Sequence, residues 1–321
     1  MVHDFAEDLR MKTIFDEIIG RFPVRNTKEQ KEAFRSWVLE EAQRNDLNAY
    51  VSEDGGHKNI VIGNPDTAKA VFTAHYDTPW QSPWPNLMLP KDRGLFLLYQ
   101  IASLLPVLLI SFLAAFLFMI FVHLDYTVTT NRLYPLFVYL FAYYILFFAV
   151  LRGKKNKNNF NDNTSGVSLV LGIAKDLDAE LREKAAFILF DDEEKGKKGS
   201  KAFAKKHREL NENTPIVNFD CVGLGDHFVV IEKESFREKK EYSAFKKAFS
   251  KLPNVHFLSS KKAHANSDQT SFKMGNAVMA VKESKRGIFY VNRIHTFKDT
   301  IVDARNLSLL KDASVSFIES M

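Results

Sequence analysis

Residues 184–194 read KAAFILFDDEE. An apolar run from Lys184 to Phe190 stops abruptly at four carboxylates, Asp191-Asp192-Glu193-Glu194. A short continuous apolar stretch bounded by charge reads as a strand buried on both faces. Working outward, Thr164 to Leu177 carries helical spacing and opens just behind Asp162. Ala70-Val71-Phe72-Thr73-Ala74 is a second strand, ending directly at His75. A Lys-rich helix follows from about Gly199, and Ile216 to Phe219 is a third buried strand, ending at Asp220. Shorter strands are expected at 49–51, 59–62, 227–231, 255–258, 277–281 and 288–291, with helices up to about residue 45 and near 238–252 and 306–319. Within the N-terminal helical part Thr27 can cap a helix, with Glu29, Lys31, Glu32 and Arg35 facing water and Phe34, Trp37 and Leu39 turned inward. Strands alternating with helices indicate an α/β fold with a mixed, largely parallel sheet. In such sheets binding residues gather beyond the carboxyl ends of the strands. His75, Glu193, Glu194 and Asp220 all stand just past an expected strand end.

The chain has 321 residues, 46% hydrophobic and 26% charged, which argues for a globular fold and against disorder. The average hides a split. Gly94 to Val122 and Leu133 to Leu151 contain no Asp, Glu, Lys or Arg. Each is long enough to cross a bilayer, for which about 20 apolar residues suffice. Pro106 and Pro135 are tolerable in membrane helices, and Tyr126, Tyr134, Tyr139, Tyr143 and Tyr144 include interfacial anchors. The expected organisation is one discontinuous domain, residues 1–90 and 152–321, interrupted by a two-helix transmembrane hairpin at 91–151. The connection between the two runs carries only Asp125 and Arg132. Lys91, Arg93, Arg152, Lys154, Lys155 and Lys157 flank the outer ends, which places those ends and the domain they join in the cytoplasm. The same flanks account for much of the net charge of +5 as contact with anionic lipid, so nucleic acid is not an expected partner. The single cysteine, Cys221, excludes an intrachain disulfide and fits a reducing compartment or a bacterial membrane protein. The polar, acidic N-terminus MVHDFAEDLR has no apolar segment of the kind a cleaved signal peptide needs.

Five motifs share the strand ends: His75-Tyr76-Asp77, Asn161-Asp162-Asn163 before Ser165-Gly166, Asp192-Glu193-Glu194, Asn218-Phe219-Asp220 and His295-Thr296. Each has an ordinary reading by itself. His-x-Asp is common on surfaces, the Asn-Asp-Asn turn can cap a helix, acidic runs are often solvated, and Asp220 and His295 can be plain turn residues. In succession they supply the histidines and carboxylates that a pair of zinc ions needs, with a carboxylate left over to act as a base. Four carboxylates at the end of a buried strand repel one another, so a cation or raised pKa values must relieve them. Adjacent glutamates also allow one to bind metal while the other moves protons. Asp77 is close enough in sequence to hold the second ring nitrogen of His75. Arg286 and Arg293, near His295, are candidates for a substrate carboxylate, though solvated loop arginines are the simpler reading.

The motifs HYD, NDNTSG, EEKGKKGS, NFD and IHT, in that order, resemble metallopeptidase family 28, the co-catalytic zinc aminopeptidases of clan MH. Ser267-Asp268, with Phe272 and Gly275, resembles the family's late Ser-Asp segment. The resemblance spans roughly residues 15 to 320 outside the insertion. It implies a zinc-aminopeptidase-like sheet with helices on both faces, two zinc ions per chain and a peptide substrate. Asp162 would bridge the metals, Glu194 and His295 would complete one site, and His75 and Asp220 the other. Glu193 would be the general base and acid, and Asp77 would orient His75. A cis peptide bond is implied at Asp162-Asn163. The basic Lys195, Lys197 and Lys198 depart from the family pattern, where an apolar residue is common. Carboxypeptidase, acyl-amino-acid hydrolase and glutaminyl cyclase chemistries remain open on the same fold, as does a non-enzymatic scaffold. A cyclase would need one zinc, and scaffolds tend to lose ligands that are all present here.

Overall fold

The structure is a computed structural model and describes residues 5–122, 133–151, 153–263 and 265–321. Asp125, Tyr126, Arg132 and Arg152, assigned above to the hairpin and its flanks, lie outside the described residues. The chain opens with helices α1 (Phe5–Arg21) and α2 (Lys28–Arg44). Pro23 separates them, since it lacks an N–H and disfavours helical backbone at the residue before it. Thr27 restarts the helix through a capping box. Its hydroxyl accepts from the Gln30 amide, and the Gln30 side chain accepts from the Thr27 amide. An antiparallel hairpin follows, β1 (Ala49–Asp54) and β2 (His57–Ile62), then β3 (Ala70–His75) and the short β4 (Trp80–Gln81).

Two long apolar helices come next, α3 (Arg93–Val122) and α4 (Tyr134–Leu151), and β5 (Lys154–Lys155) pairs with β4 where the chain returns. The segment Phe160–Thr164, whose backbone is non-helical at Asp162 and Asn163, leads into α5 (Ser165–Asp176), followed by α6 (Ala179–Arg182) and β6 (Ala185–Phe190). The remainder is α7 (Lys198–Lys206), α8 (Arg208–Asn213), β7 (Ile216–Phe219), β8 (His227–Glu232), α9 (Glu234–Arg237), α10 (Glu241–Phe249), β9 (Val255–Ser259), β10 (Gly275–Glu283), β11 (Phe289–Tyr290) and α11 (Ala304–Glu319).

The main sheet runs β1-β2-β6-β3-β7-β10-β8-β9, with β11 paired to β10. Its centre, β6-β3-β7-β10, is parallel throughout. Alternation along these strands builds a core on each face. Phe72, Phe187, Leu189, Val217 and Phe219 pack with α1, α5, α10 and α11. Val71, Ile188, Phe190 and Ile216 meet Phe203 and Leu210 of α7 and α8 on the opposite face. Helices therefore cover both sides, as the motif resemblance implies. The expected strands are all present, the last of them short.

Two residues of α2 overturn the expected water-facing pattern. Lys31 and Arg35 are only 5% and 4% exposed. The helix lies against the acidic end of β6, where Lys31 Nζ stands 2.5 Å from both Asp191 and Asp192. Arg35 donates to the buried Tyr76 hydroxyl at 2.6 Å. The Lys31 charge is thus matched inside the fold, and Arg35 reaches out from its buried position to pair with the exposed Glu32.

Arg93–Phe121 is long and apolar enough to cross a membrane. α3 packs against α4 and buries Val107 and Ala115, while Phe112 and Phe121 remain 63% and 74% exposed. α4 likewise exposes Phe137 and Phe141. Among the described residues the apolar surface of both helices faces outward from the body.

Candidate metal centre

Three parallel strands deliver the centre. β3 ends at His75, β6 runs into Asp191-Asp192-Glu193-Glu194, and β7 ends immediately before Asp220. The register puts His75 beside Phe190 and Thr73 beside Asn218, so the three motifs emerge side by side. Asn218 sustains that alignment from inside the sheet. Its carbonyl accepts from the Thr73 hydroxyl at 2.8 Å, and its amide donates to Ser267 and Gln269 at 3.2 and 3.1 Å.

The Asn-Asp-Asn segment is fastened to the chain beyond β7. Asn163 Nδ2 donates to the Phe219 carbonyl at 2.9 Å, and Asn161 Oδ1 accepts from Gly223 N at 2.8 Å. Gly166 makes this approach possible, since a Cβ there would lie 2.5 Å from both Asn163 Oδ1 and the Phe219 carbonyl. The Asp162-Asn163 peptide bond is cis. Asp299, passed over in sequence as part of an ordinary loop, accepts from the amides of Asn161 and Asp162 at 2.9 and 3.0 Å. Only its position behind His295-Thr296 hinted at this.

The carboxylate of Asp162 faces two histidines. Oδ1 lies 3.3 Å from His75 Nε2, and Oδ2 lies 3.0 Å from His295 Nε2. Asp220 Oδ1 is 3.9 Å from His75 Nε2, and Glu194 Oε2 is 3.5 Å from His295 Nε2. The donor atoms of His75, Asp162 and Asp220 all fall within 4.8 Å of one another, as do those of Asp162, Glu194 and His295. Tetrahedral zinc with bonds near 2.1 Å sets its ligand atoms about 3.4 Å apart, so these spacings suit it. Glu194 Oε1 and Asp220 Oδ1 are buried without a hydrogen-bond partner, which is costly unless a cation satisfies them. The donor set thus fits a pair of zinc ions.

A third cluster, His57 with Asp191 and Asp192, differs. There the Lys31 ammonium already stands between the carboxylates, and Lys195 adds a second at 2.8 Å from Asp192.

Asp77 holds the centre in an unexpected way. Its carboxylate accepts from the amides of Glu193 and Glu194 at 3.0 and 3.2 Å, tying the end of β3 to the turn after β6. His75 Nδ1 donates to the main-chain carbonyl of Asp77 at 3.1 Å, with the carboxylate at 3.5 Å. Since a carbonyl can only accept, Nδ1 carries a proton and Nε2 faces Asp162. The wholly buried Arg25, also missed in sequence, donates to the Tyr76 carbonyl at 2.5 Å and to the Thr164 hydroxyl at 2.9 Å. It clamps the His75 loop to the segment after Asp162.

Backbone strain concentrates here. His295, Cys221, Asp192 and Lys197 all adopt left-handed φ, between 52° and 60°. The electrostatics follow from burial of so many acids. Burial raises the Glu193 carboxyl well above the ordinary range and pushes Glu194 up to about 8. For His295, burial opposes the charged form, but Glu194 and Asp162 outweigh it and raise its pKa to about 9. His75 is raised too, burial being overcome by Asp162 and Asp77. Asp162 is lowered, because both histidines outweigh its burial. The fully buried Asp268 is pushed up to about 7 by desolvation.

Two cavities meet at the centre. One, of about 250 Å³, is bounded by His75, Asp162, Glu193, Asp220 and His295, with Met88, Phe96 and Ile294 as apolar walls. The second, of about 330 Å³, shares Asn86, Glu194 and His295 with it and extends along α3. Neither Arg286 nor Arg293 lines either cavity.

The model of peptidase family M28 matches residues 119–317, which include Asp162, Glu193, Glu194, Asp220 and His295. The chain belongs to peptidase family M28. His75 and Asp77 lie outside the matched residues, and the geometry above is what joins them to the M28 segment. Solved structures share the fold. The LapA aminopeptidase of Legionella pneumophila superposes with a TM-score of 0.57 at 13% identity, covering 97% of this chain and 70% of that one. A Zn-dependent exopeptidase from Parabacteroides distasonis gives 0.57 at 15% identity, covering 100% of both chains. The glutaminyl cyclase of Porphyromonas gingivalis gives 0.57 at 11% identity, covering 98% of each chain. No curated protein matches the sequence significantly. Membership of family M28 makes the chain a peptidase-like hydrolase, and a zinc-dependent exopeptidase stands among its structural neighbours.

Proposed function

We propose that the chain is a membrane-anchored, zinc-dependent aminopeptidase in which Glu193 is the general base. The observation that carries this reading is the division of Asp162. Each of its oxygens faces a different histidine, and each histidine has a second carboxylate beside it. His75, Asp162 and Asp220 would hold one zinc, and Asp162, Glu194 and His295 the other. Bound there, the metals would supply Lewis acidity to a water and to the scissile carbonyl. Glu193 accepts the proton that this water gives up as its oxygen attacks the carbonyl carbon. The same carboxyl then returns the proton to the leaving nitrogen as the C–N bond breaks. Burial of Glu193 strengthens its hold on that proton between the two steps. Asp77, bonded to the amides of Glu193 and Glu194, keeps base and ligand at their stations.

For the end of the substrate that is attacked, a free N-terminus is the reading supported by the fold shared with the LapA aminopeptidase of Legionella pneumophila. Hydrolysis of an unblocked peptide together with failure on its N-acetyl form tests this directly. The cyclase reading has the similar fold of the Porphyromonas gingivalis enzyme in its favour. One zinc per chain would support it, and two would support the aminopeptidase.

For location, α3 and α4 would cross the bilayer as a hairpin inserted between residues 1–90 and 152–321. Basic residues at its outer ends put the peptidase domain in the cytoplasm. Protease added to inverted vesicles then digests that domain, whereas protease added to intact cells spares it. The opposite pattern would reverse the topology.

A further inference from the structure

Three lysines follow the Glu193-Glu194 pair, and the structure separates them. Lys195 and Lys198 are exposed, and Lys195 pairs with Asp192 at 2.8 Å. Lys197 is half-buried and lines the first cavity together with Glu193 and Asn266. Among the described residues no other lysine or arginine borders either cavity.

The backbone holds Lys197 at this position under strain. Gly196 and Lys197 are both left-handed, at φ 94° and 59°. Glycine adopts that conformation freely, whereas a residue with a Cβ is strained in it, and such strain collects where a side chain is used. The amides of Gly196 and Lys197 both donate to the Glu193 carbonyl, at 2.8 and 2.7 Å. Lys197 is thereby closed into one turn with the proposed base.

Its charge is unmatched. Among the described residues the ammonium forms no ion pair, and its hydrogen bond goes to the neutral side-chain oxygen of Asn266. An ammonium has donors to spare after one such bond. Burial lowers the Lys197 pKa despite the pull of Glu193 and Asp268. Asp162, Glu194 and Asp220 are committed to the proposed metals, and Glu193 to a proton. The cavity therefore offers Lys197 no carboxylate of its own, and a charge-assisted bond to an incoming anion would stabilise it.

The base fixes which part of the substrate comes here. Glu193 returns its proton to the leaving nitrogen, and it borders the first cavity and not the second. The residue that carries the leaving nitrogen therefore lies in the first cavity, with Lys197. In a dipeptide only the α-carbon separates that nitrogen from a free carboxylate. In a longer peptide an acidic side chain on the same residue brings a carboxylate to the same region.

We propose that Lys197 binds a carboxylate carried by the leaving residue, so that the chain prefers dipeptides or peptides with Asp or Glu just after the scissile bond. The inference rests on the aminopeptidase reading and specifies its substrate class. Asn266 steadies the ammonium without neutralising it.

The test uses the full chain in detergent with zinc present. Hydrolysis of Leu-Gly amide and Leu-Gln amide reports the exopeptidase reading alone, since neither leaving residue carries a carboxylate. The ratio of kcat/KM for Leu-Gly over Leu-Gly amide reports an α-carboxylate, and that for Leu-Glu amide over Leu-Gln amide reports an acidic side chain. We expect at least one ratio of about 10 or more, as a hydrogen bond between charged groups gives. It should fall toward one in Lys197→Met. Asn266→Asp, which leaves Lys197 in place and supplies an internal partner, should lower it as well. A second readout needs no turnover. In Glu193→Gln, calorimetry should show the favoured acid binding about 10-fold or more tighter than its amide, and adding Lys197→Met should equalise the two. Hydrolysis of the amides with both ratios near one would overturn the subsite and leave the aminopeptidase standing. A ratio that survives Lys197→Met would place the carboxylate elsewhere and overturn the proposal too. Hydrolysis of none of the four would remove the aminopeptidase reading, and equal affinities of acid and amide in Glu193→Gln would then overturn the subsite as well.

Discussion

Asp162 places one carboxylate oxygen 3.3 Å from His75 Nε2 and the other 3.0 Å from His295 Nε2. Among the described residues no other side chain is paired with both histidines, and the proposed pair of metals depends on it. Replacing Asp162 by Asn removes the charge and leaves one oxygen to serve two cations. Zinc measured by mass spectrometry should fall from two per chain to one or fewer, and hydrolysis by roughly 10³ or more as Lewis-acid stabilisation of several kcal/mol is lost.

Glu193 should behave differently. Glu193→Gln keeps the shape and removes the base, so zinc content stays near two while kcat falls by about 10²–10⁴. A fully active Gln variant would remove Glu193 from the chemistry.

Asp77 and Asp299 act on the ligands through main-chain amides. Asp77→Asn or Asp299→Asn should weaken zinc binding by about 10–100-fold, the usual loss when support behind a ligand is removed. Competition with a chelator of known affinity measures this. Unchanged affinity in both variants would show that these contacts are incidental.

Metal binding should release protons. In the metal-free site the pKa of His295 is raised to about 9 and that of Glu194 to about 8, so both carry a proton at pH 7. Zinc requires both to leave. Affinity therefore rises with pH through the window from about 7 to 9 and drops below it, by up to about tenfold per pH unit for each displaced proton. Calorimetry in buffers of different ionisation enthalpy counts those protons.

Lys31 is the cation between Asp191 and Asp192. Lys31→Met leaves two partly or fully buried carboxylates without it and should cost about 3–5 kcal/mol. Thermal unfolding in detergent reads this as a lowered midpoint, and a Met variant as stable as the parent would contradict the assigned role.

The legible part of this chain was its strand ends. Apolar runs that stop at His75, at Asp191–Glu194 and at Asp220 reveal both a parallel sheet and the side of it that carries chemistry. Partners that act across the fold were hidden, because their meaning is set by tertiary contact. Lys31 and Arg35 fit a helical face expected to meet water, and only the packing of α2 beside Asp191 turns them inward. Asp299 and Arg25 work by bonding main-chain groups far away in sequence, which no local pattern encodes. The role of Asp77 was half visible. Its proximity to His75 could be read, while its grip on the Glu193 and Glu194 amides required the register of β3 and β6.

The central claim is a two-metal exopeptidase that requires a free amine. The most direct measurement strips the purified full-length chain of metal and titrates zinc back while following hydrolysis of Leu-Phe amide and its N-acetyl form. The account predicts that activity rises until two equivalents are bound and then levels off, with cleavage of the unblocked peptide alone. Full activity at one equivalent, or cleavage confined to the blocked peptide, would contradict it.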